Sequence, residues 1–75
     1  MYQSWNMDLI KSGEKIRAFR KRKGYSQAEL AEKTDLSTMT ISRIEKGSTA
    51  MNILQLKRLR EVLETTADEI LDGEE

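Results

Sequence analysis

The sequence contains no cysteine, no histidine and no proline. Without cysteine there is no disulfide and no thiol nucleophile. Without cysteine and histidine there is no zinc-finger ligand set and no imidazole acid–base chemistry. The absence of proline, repeats and low-complexity tracts means that no linker is signalled. No apolar run approaches the roughly 20 residues needed to span a bilayer. The opening "MYQSWNMDLI" has no basic stretch followed by an apolar one, so no signal peptide is visible. A cytoplasmic protein without membrane contact is the default expectation. There is also no phosphate-cradling glycine loop and no evident pair of carboxylates in a pocket. An enzyme is therefore disfavoured, and no cofactor or metal is expected.

What is present is charge on a helical background. Seventy-five residues, 37% hydrophobic and 35% charged, fit one small soluble helical domain. The net charge is zero, but it is not evenly spread. Residues 1–47 hold ten Lys/Arg against six Asp/Glu, and residues 48–75 hold three against seven. The stretch "KSGEKIRAFRKRKG" concentrates the positive charge: Lys11, Lys15, Arg17, Arg20, Lys21, Arg22 and Lys23 against Glu14 alone. A basic half can face phosphates while an acidic half points away. A solvated helix face is the ordinary alternative for such a run.

Start and stop signals divide the chain. Glycines punctuate it at Gly13, Gly24, Gly47 and Gly73. A first helix is expected from about Ser12 to Lys23, with Ile16 and Phe19 inward and Gly24 as a left-handed stop. Ser26 and Glu29 have the spacing of a capping box, in which each side chain satisfies the other's backbone N–H. They open a helix over Gln27–Thr34. Asp35 can take a left-handed turn position, and Ser37 can cap the next helix. Asn52 with Gln55, and Thr66 with Glu69, repeat the capping grammar and open a fourth and a fifth helix. The expected core is Ile16, Phe19, Leu30, Ala31, Leu36, Ile41, Ile44, Ile53, Leu56, Leu59, Leu63 and Ile70. The expected organisation is an N-terminal extension over residues 1–11, a domain over 12–72 and an acidic tail over 73–75.

The segment "STMTIS", Ser37 to Ser42, is the least ordinary part. It is uncharged and rich in weak helix formers. Met39 and Ile41 alternate with polar residues, a strand period. The helical reading fits better, because Ile41 and Ile44 are three apart and face inward together, leaving Thr38, Met39, Ser42 and Arg43 outward. Two short helices joined by a tight turn, 27–34 and 38–46, make a helix-turn-helix. In that motif the second helix enters the DNA major groove.

At these residues the chain resembles a known family. "SQAELAEKTDLSTMTISRIEKG" is similar to the helix-turn-helix of the phage-repressor DNA-binding domains, of the Cro-like or xenobiotic-response-element type. Arg20, the "ISRIEKG" close and the ending "VLETTADEIL" extend the likeness over about residues 12–71. The resemblance implies an all-α, compact five-helix bundle of the lambda-repressor kind. It implies a transcriptional regulator, expected to be a repressor, that binds double-stranded operator DNA as a symmetric homodimer. It places Gln27 against a phosphate at a helix N-terminus, which favours anions in any case. It directs Ser37, Thr38, Met39, Ser42 and Arg43 at base edges or the adjoining backbone. Lys46, Ser48 and Thr49 would follow a phosphate strand. Arg20 and Glu45 would form a structural salt bridge. Two departures stand out: Asp35 replaces the usual turn glycine, and Met51 replaces the usual loop proline.

Several residues keep two readings. Arg43 can contact a guanine or a phosphate, or simply complement the end of its own helix. Arg17, Lys21 and Lys23 can be solvated or can steer DNA at long range. Tyr2 and Trp5 can form an arm, pack on the domain or assist a dimer. The dimer surface is expected on the fourth and fifth helices near Leu63, Thr65, Ala67 and Leu71. The rival to a DNA-binding regulator is an antitoxin or adaptor whose main partner is a protein.

Overall fold

The computed structural model describes residues 8–71, which form five helices. In chain order they are α1 (Leu9–Lys23), α2 (Gln27–Thr34), α3 (Thr38–Lys46), α4 (Ile53–Leu63) and α5 (Ala67–Leu71). The all-α fold is as expected, and no strand occurs among the described residues. Tyr2, Trp5 and the 73–75 tail lie outside them.

Local chemistry sets each boundary. Asp8 caps α1 by accepting from the Lys11 N–H at 3.1 Å. The helix therefore begins at Leu9, three residues before the start expected at Ser12. Ser26 and Glu29 form the reciprocal capping box of α2, at 3.0 and 2.8 Å. Asn52 and Gln55 do the same for α4, and Thr66 and Glu69 for α5. At the other ends, Gly24 and Gly47 take the left-handed conformation that stops α1 and α3. Asp35, with φ 60°, takes the same conformation after α2. So does Glu64, with φ 58°, after α4, at a position that composition does not flag.

Each helix contributes to one core. Ile16 comes from α1, Leu30 and Ala31 from α2, Ile41 and Ile44 from α3, Leu59 and Leu63 from α4, and Ile70 from α5. All eight are buried, and full burial of a Leu or Ile contributes about 1.5–3 kcal/mol relative to exposure. Phe19, Tyr25, Leu36, Met51, Leu56 and Val62 are half-buried against this cluster. Met51, standing where a proline was expected from the resemblance, thus anchors the α3–α4 loop by packing rather than by a fixed φ.

Three expectations are corrected. Ile53 is not in the core: it is 84% exposed. It occupies the first position of α4, a turn before the inward stripe of Leu56, Leu59 and Leu63 begins. Gly13 is not punctuation. It lies inside α1, where an added Cβ would sit 2.3 Å from the Ile44 carbonyl oxygen and 2.6 Å from that of Glu45. The missing side chain lets the backbones of α1 and α3 touch. Finally, Leu63 and Thr65 are buried within the chain, at 3% and 8% exposure, and cannot line a dimer surface. Ala67 is half-buried and Leu71 exposed, so both remain accessible.

Candidate nucleic-acid interface

The α2–α3 unit is built around a closed turn. The Leu36 N–H donates to the Ala31 carbonyl at 2.9 Å, across the left-handed Asp35. The buried Thr34 hydroxyl donates to the Leu30 carbonyl at 2.7 Å, so it needs no water. Leu36 tucks against the core and fixes the exit angle. Ser37 then caps α3, accepting from the Thr40 N–H at 3.0 Å, and its hydroxyl also lies 2.8 Å from the Thr40 hydroxyl. These bonds hold together a segment of weak intrinsic propensity.

α3 has two unlike faces. Ile41, Ile44 and Glu45 point inward and are buried. Thr38, Met39, Arg43 and Lys46 are exposed, and Ser42 is half-buried beside them. Met39 is 60% exposed, unusual for a large apolar side chain. None of these five side chains hydrogen-bonds to another described residue. The outward face therefore offers hydroxyls, a thioether and two cations that the fold does not use.

Behind this face sits a buried polar network. Arg20 pairs with Glu45 through Nε–Oε2 at 2.6 Å and Nη2–Oε1 at 3.1 Å. Arg20 also donates to the Tyr25 carbonyl at 2.9 Å. Gln27 donates to Glu45 Oε1 at 3.0 Å. One carboxylate on α3 thus ties α1 to the start of α2, and Arg20 in turn holds the α1–α2 loop. The hydrogen bond to Glu45 holds the Arg20 guanidinium above its ordinary pKa, against the opposing effect of burial.

Not every candidate is equally free. The Gln27 side chain is half-buried and engaged with Glu45, so only its second amide hydrogen and the open N–H groups of the first turn of α2 face outward. Ser37 serves as a cap. The Ser48 hydroxyl donates to the Arg43 carbonyl at 3.1 Å and closes the end of α3. Thr49 is exposed with no partner among the described residues. Thr40 was missed from the sequence. It is half-buried at the same end of α3 as Thr38 and Met39, and its spacing from Ser37 was the available signal. No group of three or more acidic residues among the described ones could hold a metal ion.

A short turn between two packed helices, the second presenting an unpaired polar face, defines the helix-turn-helix class. A family model described as "Helix-turn-helix" matches residues 16–70. The chain belongs to this family, in its Cro/C1 or xenobiotic-response-element branch. It is similar to the HTH-type transcriptional regulator SlrR of Bacillus subtilis, 40% identical over 63 residues, which cover 83% of this chain and 41% of SlrR. Against SinR of the same organism it is 38% identical over 61 residues, 80% of this chain and 55% of SinR. The chain thus spans about half the length, or less, of these two relatives. A crystal structure of SinR in complex with DNA superposes with a TM-score of 0.77 at 37% identity, covering 81% of this chain and 98% of that one. SinR has also been solved in complex with SinI protein. The P22 c2 repressor, solved with a synthetic operator, superposes with a TM-score of 0.80 at 35% identity, covering 84% and 96% of the two chains. These relatives are regulators and not enzymes.

Proposed function

We propose that residues 9–71 bind double-stranded DNA with α3 in the major groove, and that the chain is a transcriptional regulator, acting as a repressor on a roughly palindromic operator as a homodimer. The observation that carries this reading is the division of α3. Its inner face is fixed by Ile41, Ile44 and the Glu45 network, while Thr38, Met39, Ser42 and Arg43 project outward without protein partners. The family membership and the likeness to SinR and the P22 c2 repressor, both solved with DNA, support it.

The roles divide by chemistry. Arg43 can donate two hydrogen bonds to a guanine edge, and the Thr38 methyl and Met39 can meet a thymine methyl. The open N–H groups at the start of α2, with Gln27, face a phosphate, as do Lys46 and Thr49 beyond α3. Ser37 and Ser48 assist by holding the two ends of α3. The segment has few side chains with a bidentate base code, so specificity leans on methyl contacts, water and DNA shape. The homodimer uses the exposed Ile53, Leu54 and Leu71 of α4 and α5, with the half-buried Ala67 beside them, in place of the buried Leu63 and Thr65. Half-sites then lie about one helical turn, roughly 34 Å, apart.

Selection of bound duplexes from a random library tests the proposal. It should return a two-fold symmetric site, and affinity for that site should fall with salt at a log–log slope of about −0.9 per phosphate contacted. Thr38→Ala and Met39→Ala should change the selected sequence while leaving the unfolding free energy within about 0.5 kcal/mol of the parent. Recovery of no preferred duplex, or binding indifferent to salt, would refute it.

A further inference from the structure

One edge of α1 runs alongside α3. Ile16 points into the core. Gly13 rests on the backbone of α3, and Arg20 grips the Glu45 carboxylate. At 3.6 residues per turn, Arg17 and Lys21 fall about 40° and about 80° around the helix from Gly13, on the side away from Ile16. Ile10 shares that edge, and a Cβ on Gly47, which ends α3, would stand 2.8 Å from the Ile10 Cα. Phe19 lies on the other edge of α1, against the α4–α5 turn. The same construction on α3 gives the direction the edge faces. Ser42 lies about 60° around α3 from Glu45, on the side away from the buried Ile44. Both helices leave their contact on the same side, so Arg17 and Lys21 border the surface that carries Thr38, Ser42 and Lys46.

The fold makes no use of these two cations. Arg17 and Lys21 are exposed, and neither pairs with another described residue. Arg20 and Lys23, on the inner side of the same helix, are paired with Glu45 and Glu64. Arg17 and Lys21 are also four apart, where like charges oppose helix formation. The hollow they line holds only Glu14 and Ala18 besides, with no large apolar side chain to anchor a polypeptide. A regularly charged polyanion needs no such anchor. At the Lys21 end, Arg20 holds the Tyr25 carbonyl and Gln27 reaches Glu45, which brings the open first turn of α2 next to this edge.

We infer that Arg17 and Lys21 hold neighbouring phosphates of the DNA strand that meets the first turn of α2, extending the backbone contact from Gln27 along α1. The inference rests on the DNA-binding reading above and adds to it two residues outside the helix-turn-helix itself. Glu14, farther along the same edge, repels the strand and limits the contact. Phosphate contacts fix register and carry no base preference, so the pair adds affinity without altering the sequence that α3 reads.

The test uses the full chain, a library-selected duplex and an unrelated duplex of equal length. The double variant Arg17→Gln/Lys21→Gln should keep the parental circular dichroism and melting midpoint. It should bind both duplexes roughly tenfold more weakly at low salt, and its log–log salt slope should be shallower by about 1.8, or about 0.9 for each lost contact. The sequence it selects should match the parent's. Glu14→Gln should tighten binding to both duplexes by roughly twofold or more. Selected duplexes with one methylphosphonate linkage in place of a phosphate locate the contact. One or two neighbouring linkages should weaken the parent and leave the double variant unaffected, as groups that touch each other require. Arg43→Ala separates this inference from the reading beneath it, since it should lose the selected duplex in favour of no preference. If Arg43→Ala does so while the double variant binds like the parent, the DNA reading stands and the role given to Arg17 and Lys21 falls. A methylphosphonate scan identical in parent and double variant overturns it as well, because the two cations would then act only at a distance. A parent that selects no duplex overturns both.

Discussion

Arg20→Ala should destabilise the protein far more than Arg22→Ala, although the two residues are neighbours of equal charge. Arg20 is buried and makes two bonds to Glu45 and one to the Tyr25 carbonyl. Its removal leaves a carboxylate whose side chain is only 4% exposed, with Gln27 as its remaining partner. Breaking a buried pair in this way costs about 3–5 kcal/mol. Arg22 is exposed and loses only its stacking on Phe19, worth about 0.5–1 kcal/mol. In a domain of this size 1 kcal/mol moves the melting midpoint by about 4–8 °C. Arg22→Ala should therefore shift it by a few degrees, and Arg20→Ala by more than about 12 °C. Small domains hold about 5 kcal/mol in total near the low end, so the second variant is best followed by urea unfolding at low temperature. The double variant Arg20→Met/Glu45→Met removes both charges together and should recover a large part of the loss, because apolar replacement of a whole buried pair is often neutral. Equal midpoints for Arg20→Ala and Arg22→Ala would refute the reasoning.

Three further outcomes follow from the same packing. Gly13→Ala gains about 1 kcal/mol of helix propensity, but its methyl meets two backbone oxygens that cannot swing aside. A net loss of about 1–2 kcal/mol is expected, with weaker duplex binding as α3 is displaced; a more stable variant would contradict the contact. Ser12 is 2% exposed and its hydroxyl has no partner among the described residues. Ser12→Ala should thus raise stability by about 1 kcal/mol, seen as a higher urea midpoint, and a drop would reveal a partner such as a bound water. The Thr65 hydroxyl and the Thr66 N–H hold the Glu69 carboxyl below its ordinary pKa. A depressed folded value stabilises the protein above the unfolded value of about 4.3 and loses that contribution as pH falls below it. Glu69→Gln should flatten the acid side of the stability–pH curve, and an unchanged curve would show that Glu69 does not contribute.

Where the sequence carries a local rule, the fold can be read from it. Ser26 with Glu29, Asn52 with Gln55 and Thr66 with Glu69 are capping boxes because the geometry needs only residues three apart. The outward set on α3 follows likewise from the inward spacing of Ile41 and Ile44. What escaped either carries only part of a local signal or depends on neighbours distant in sequence. Asp8 caps α1, but no Glu or Gln three residues later marks it, only Lys11. Gly13 resembles a breaker until α3 is laid across it. Ile53 continues an apolar stripe on paper, yet its position in the first turn of α4 leaves it outside. Glu64 adopts a left-handed φ that its side chain does not advertise, in a turn where it pairs with Lys23. Gln27 is the sharpest case within the site, since a residue expected on a phosphate lends its amide to an internal carboxylate.

The bare backbone contact at Gly13 has a consequence for how binding preference can change. Because Gly13 of α1 rests on the main chain of Ile44 and Glu45, and Arg20 grips only the inward Glu45 side chain, the pose of α3 is indifferent to what its outer positions carry. Orientation and code are thereby uncoupled. On the DNA-binding reading proposed above, residues 38, 39, 42 and 43 are interchangeable type in a fixed frame, so new sites can be acquired one side chain at a time without refitting the helix that presents them.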